Sequence, residues 1–122
     1  MKQQEINQLR SELEQFTGTT QYYRIDHKTL LTDGTYHLAE RAGAYWMITV
    51  FASYLHEMKL NDWFAMLRLD VCGDSAKVVI EDGNGNVLAT EDVEYTDFPL
   101  RHITLYACWD GEHWVLMLPS EY

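Results

Sequence analysis

His37 and Glu40, in the segment TDGTYHLAERAG (32–43), stand one helical turn apart. On one face of a helix they can serve as base and acid, or as two metal ligands. The second histidine of an H-E-x-x-H site is missing, and Arg41 offers Glu40 a local ion partner instead. A second pairing joins Cys108 to His113, since a thiol beside an imidazole becomes a nucleophile. It requires two strands folded about Asp110-Gly111 so that the two side chains meet across the ladder. Tyr45, Thr49, Ser53 and His56 recur at spacings of four, four and three, a polar stripe that can line a cavity. Its hydroxyls are equally well satisfied by carbonyls one turn earlier. Tyr22, Tyr23, Arg24, Tyr95 and Asp97 suit recognition better than chemistry, because tyrosine gives wide contact with a polar tip and arginine a planar donor fork. The sequence carries no glycine-rich phosphate loop, G-x-S-x-G elbow or basic-aromatic nucleic-acid motif. No cofactor and no metal are expected.

The elements that would position these groups follow from periodicity. Ile6, Leu9, Leu13 and Phe16 mark one face of a helix over 2–16, with Gly18 beyond it. TQYYRID and LLT read as a short hairpin turning at 26–28. Thr32 or Asp33 suits an N-cap and Gly43 a C-terminal stop, which predicts a second helix over 34–42. The run from Ala44 to Leu55 is apolar nearly all round and reads as a buried helix, too short to span a bilayer.

From residue 62 the period changes to two. A turn at Gly73-Asp74 sets Val71 against Ala76, Leu69 against Val78, Leu67 against Ile80 and Asp70 against Lys77. The next turn, GNGN (83–86), sets Ile80 against Ala89 and Asp92 beside Lys77. Glu91 then breaks the apolar face, so a bulge or strand end is expected there. A turn at Asp110-Gly111 sets Ala107 against Trp114 and Leu105 against Leu116. The expected fold is α+β: N-terminal helices packed on one face of a five-stranded antiparallel meander. One domain is expected over 1–122, with a helical half at 1–61 and a sheet half at 62–122. Phe64, Met66, Val79 and Leu88 then fall on the sheet's outer face and hint at a partner or a homodimer.

Charge is unevenly spread. The net charge of the chain is -10, and twelve acids against three bases after residue 61 account for -9 of it. Glu81, Asp82, Glu91, Asp92, Glu94 and Asp97 fall in a stretch without Lys or Arg, an acidic surface that suits a protein partner. The same sign repels phosphates and anionic lipids, so neither direct nucleic-acid nor membrane contact is expected. MKQQEINQLR lacks the apolar core of a signal peptide, and two widely separated cysteines suit a reducing, cytoplasmic setting.

Four segments carry a resemblance: FTGTTQYYR (16–24), TDGTYHLAERAGAYW (32–46), YTDFPL (95–100) and LPSEY (118–122). The chain resembles a bacterial family of small single-domain proteins, also carried on mobile elements, whose function is unknown. The resemblance implies a free-standing bacterial protein and transfers no catalytic residue. The expected function is a small acidic, non-enzymatic protein-binding module, in its sharpest form an inhibitor of a nucleic-acid-binding protein. The alternative is a small enzyme or ligand-binding domain with a pocket between the central helix and the sheet.

Overall fold

The computed structural model describes residues 1–58 and 62–122, so the expected switch from helical to sheet half at residue 61 lies outside the described residues. Among the described residues three helices come first, apart from a short hairpin: α1 (Gln3–Glu14), α2 (Asp33–Ala42) and α3 (Tyr45–Leu55), with β1 (Tyr23–Asp26) and β2 (Thr29–Leu31) between α1 and α2. Then follow β3 (Phe64–Cys72), β4 (Ser75–Asp82), β5 (Val87–Val93), β6 (His102–Trp109) and β7 (Trp114–Met117), and a 3-10 turn over Pro119–Glu121. The class is α+β.

The sheet departs from the expected meander. Seven strands lie in the order β1-β2-β7-β6-β3-β4-β5, so β6 returns to pair with β3 rather than with β5. The link after β5 makes this return possible: it buries Phe98 and Leu100 over the sheet end, and Arg101 carbonyl accepts the Val71 amide at 2.8 Å. The hairpin β1-β2 joins the same sheet, because β2 runs parallel to β7 with Thr29 beside Trp114 and Leu31 beside Leu116. The sheet is therefore mixed.

Local sequence explains the register. Gly73 has φ 63°, the left-handed value that a tight turn needs, and β3 and β4 pair with Val71 on Ala76, Leu69 on Val78 and Leu67 on Ile80 as expected. Between β4 and β5 the shift lies at Ile80/Glu81 rather than at Glu91, which pairs regularly with Val78. Glu91 stays in the ladder because Tyr54 of α3 donates its hydroxyl to Glu91 Oε1 at 2.8 Å. A carboxylate on the helix side of the sheet is thus satisfied without a break in the strand.

All three helices pack on one face. Leu9 and Leu13 from α1, Leu38 from α2 and Phe51 from α3 meet Leu67, Leu105 and Leu116 of the sheet. Thr32 caps α2 by accepting the Thr35 amide at 3.3 Å, and Gly43 ends it with φ 61°. Helix α3 buries Met47, Ile48, Phe51, Ala52 and Leu55 but leaves Tyr45, Thr49, Ser53 and His56 exposed. Nearly continuous hydrophobicity therefore did not mean burial on all sides: α3 has one face in the core and one in water. Among the described residues no helix is long and apolar enough to cross a membrane.

Candidate functional site

Because the helices share one side, the sheet's second face is left without a helical layer among the described residues. Its residues form rows across the strands: Leu30, Val115, Cys108 and Phe64 in one, Met117, Tyr106, Met66 and Glu81 in the next. Farther along come Thr104, Arg68 and Val79, then His102, Asp70 and Lys77. The face grades from apolar to charged. Arg68 reaches Glu81 at 3.2 Å, and Asp70 holds His102 at 2.7 Å. Phe64, Met66 and Val79 lie on this face as expected, half-buried by their strand neighbours. Leu88 does not: beside the shift at Ile80/Glu81 it lines a hollow with Tyr54, Glu57 and Met58 of the helical side.

At the Phe64 end the open face deepens into a hollow of about 480 Å³, lined by Asp62, Trp63, Phe64, Asn84, Tyr106 and Tyr122, with Gly83 at its edge. Trp63 and Tyr122 are 58% and 66% exposed, unusually open for rings of this size. By contrast the space between α3 and the sheet is filled by Met47, Phe51 and Leu55. The hollow nearest His56 measures only about 30 Å³.

The residues expected to do chemistry are held apart. His37 Nε2 lies 3.1 Å from Glu12 Oε1 of α1, whereas Glu40 accepts the Tyr45 hydroxyl at 2.9 Å. Partial desolvation of the Tyr45 hydroxyl against its neighbours and its bond to Glu40 push the phenol up to about 12. Each partner ties one helix to its neighbour, which is a packing role. Cys108 faces Val115 rather than His113, since the turn has four residues and the ladder closes on Trp109 and Trp114. Asp110 Oδ1 accepts the amides of Glu112 and His113 at 2.8 and 2.6 Å and so pulls His113 into the turn. Burial raises the Cys108 thiol above its ordinary value, the reverse of activation. Along the α3 stripe, Ser53 donates to the Val50 carbonyl at 2.7 Å. His56 Nε2 meets Thr29 Oγ1 at 3.2 Å and Asp26 Oδ2 at 3.4 Å. One ring nitrogen meets both groups and Thr29 is fully buried, so the arrangement is no nucleophile relay.

The recognition residues do not form one patch either. Tyr22, Tyr23 and Arg24 lie at edge strand β1, while Tyr95 and Asp97 follow β5 at the opposite edge, about 30 Å away across seven strands. Tyr23 stacks on Tyr36 with ring centroids 4.0 Å apart, and Arg24 donates to the His27 carbonyl at 3.1 Å. Tyr22 and Tyr95 are exposed. The six acids of 81–97 are likewise divided. Glu81 and Asp92 lie on the open face opposite Met66 and Lys77, and Glu91 is on the helical side. Asp82 is bound into its turn by the amides of Asn84 and Asn86 at 2.8 and 2.9 Å. Glu94 and Asp97 are exposed.

Three of the four distinctive segments meet at the start of α2. Asp33 Oδ2 accepts the Thr20 amide at 2.8 Å, its Oδ1 takes the Tyr23 hydroxyl at 3.1 Å, and its own amide donates to Thr19 Oγ1 at 2.8 Å. From the other end of the chain Glu121 accepts the Thr32 hydroxyl at 2.6 Å and the Gly34 amide at 3.1 Å. FTGTTQYYR, TDGTYHLAERAGAYW and LPSEY are thus brought into one hydrogen-bonded knot around a helix N-terminus, where carboxylates are favoured. The sequence model of a family of unknown function, DUF6876, matches residues 7–122. The chain belongs to this family. Among curated proteins nothing matches the chain.

A similar fold occurs in a crystal structure of a protein of unknown function from Enterococcus faecalis, with a TM-score of 0.55 and 18% identity over 81% of this chain and 93% of that one. In the DUF6876 chain the knot explains why these residues stand together without requiring a ligand, because its acceptors are met internally. No local pattern marks the aromatic hollow: Trp63, Phe64, Tyr106 and Tyr122 are scattered along the chain and converge because β6 returns to β3. Only the alternation of β3 and β6 signalled that Phe64 and Tyr106 share a face.

Proposed function

We propose that this DUF6876 protein is a small, non-enzymatic protein-binding module that docks a basic protein on the open face of its sheet. The observation that carries the reading is the one-sided helical layer of the described residues, which leaves Phe64, Met66, Val79 and Tyr106 only half-buried on the other side. The net charge of -10 favours a cationic partner and opposes face-to-face association of two copies. With the acids divided between two faces, their role here is to attract and orient a partner rather than to trace the spacing of a phosphate backbone. The reading includes a cytoplasmic setting, supported by the two free thiols of Cys72 and Cys108.

The test compares capture from bacterial lysate by the wild type, by Met66→Glu on the open face and by Thr49→Glu on the exposed side of α3, after circular dichroism has shown all three folded. Recovery of the same partner by wild type and Thr49→Glu, but not by Met66→Glu, supports the reading. Equal recovery by all three, or a wild-type dimer in sedimentation that Met66→Glu dissolves, overturns it.

A further inference from the structure

We infer that the hollow formed by Trp63, Phe64, Tyr106 and Tyr122 is a binding site for a cationic side chain, with guanidinium as the favoured head group. The inference rests on the protein-binding reading and specifies what the docked partner inserts. Four rings line the hollow and pack on one another at steep angles. Phe64 meets Tyr106 at 5.1 Å and 60°, Tyr122 at 5.8 Å and 80°, and Trp63 at 5.6 Å and 58°. Tyr106 and Tyr122 are 5.6 Å apart at 88°. Rings at these distances pack edge to face on one another, and the two open ones, Trp63 and Tyr122, offer aromatic surface to the hollow, where a ring face carries the negative lobe of the quadrupole. A cation seated against such a face is attracted by it.

Local charge has the same sign preference. Asp62 lines the hollow and no Lys or Arg does so among the described residues. Glu81 stands opposite Met66, the strand neighbour of Tyr106. An apolar side chain would gain from the rings but would also desolvate Asp62 without compensation. A guanidinium stacks on an aromatic face while its edge donates to a carboxylate, so it uses both features at once. The volume of about 480 Å³ admits such a head group together with its aliphatic stem.

The probes are a tetra-arginine peptide and its tetra-citrulline counterpart, which keeps the shape and removes the charge. Binding to the folded protein is followed by NMR shifts of the Trp63 indole and of the Tyr106 and Tyr122 rings. The arginine peptide is expected to bind at least about fivefold more tightly than the citrulline peptide. Trp63→Ala and Tyr122→Ala should each weaken it while leaving the net charge untouched, which separates the rings from the long-range field of an acidic protein. Asp62→Asn should weaken it further and flatten its salt dependence. Equal binding of the two peptides, or arginine binding indifferent to both aromatic variants, overturns the inference. Loss of the natural partner in Met66→Glu with full retention in Trp63→Ala and Tyr122→Ala overturns it too, while leaving the protein-binding reading intact.

Discussion

Glu121 Oε2 accepts the Gly34 amide at 3.1 Å, and the same carboxylate fills the place a side chain would take at position 34. A Cβ there would lie 2.6 Å from Glu121 Oε1 and 2.7 Å from Leu118 Cδ1. The glycine is needed for close approach, not for an unusual backbone angle. Gly34→Ala should therefore destabilise the protein by about 1–3 kcal/mol through overpacking, despite the helix propensity that alanine adds, up to about 1 kcal/mol. Urea unfolding measures the loss. In a Glu121→Ala background part of the clash is gone, so the same substitution should cost less; strict additivity of the two would show that they do not meet.

Asp33 lies below the ordinary carboxylate range, chiefly because the Thr20 amide donates to it, with the hydroxyls of Thr20, Tyr23 and Thr19 adding to the effect. A depressed folded-state value means that the folded protein binds its proton less readily than the unfolded chain does. The stabilisation is complete above the unfolded value near pH 4 and is lost as the pH falls through the folded value. Asp33→Asn should lower the thermal midpoint clearly at pH 6, and the gap to wild type should close below pH 4. A gap that stays constant with pH would assign the effect to shape rather than charge.

Tyr54 and Glu91 make a second pair whose value depends on both partners. Glu91 stands opposite Val78, a buried residue, so removing the hydroxyl leaves a carboxylate on the helical side without its donor. Tyr54→Phe is expected to destabilise the wild type. In Glu91→Val, which restores an apolar row, the same change should have little effect. Equal losses in the two backgrounds, read by chemical unfolding, would mean that the hydrogen bond contributes nothing.

How far the sequence revealed the fold depended on the distance between partners. The β3-β4 register was legible because a glycine with φ 63° and one neighbour fix a two-residue turn, so each apolar pair follows by counting. The β6-β7 register slips by two, since Asp110 folds its side chain back on two amides and lengthens the turn. An even slip keeps each side chain on its face, which is why Leu105, Ala107, Trp114 and Leu116 were still assigned to the core. The β2-β7 contact and the return of β6 to β3 join residues far apart in sequence, and no local pattern encodes them. The Glu121 half of the knot and the aromatic hollow likewise join residues far apart in the chain.

The slip at β6-β7 has a chemical consequence. With Val115 opposite Cys108 and His113 bound into the turn, no imidazole is placed across the ladder to draw off the thiol proton. Burial pushes the Cys108 thiol up, whereas Cys72 is exposed at the end of β3. Thiolate supply and access then act in the same direction. Ellman's reagent at pH 8 should react with two thiols in separate phases, the faster belonging to Cys72 and vanishing in Cys72→Ser. His113→Ala should leave the slow phase unchanged while the fold holds. A slow phase that became slower still in His113→Ala would restore the histidine as the activator of Cys108 and would count against the four-residue turn.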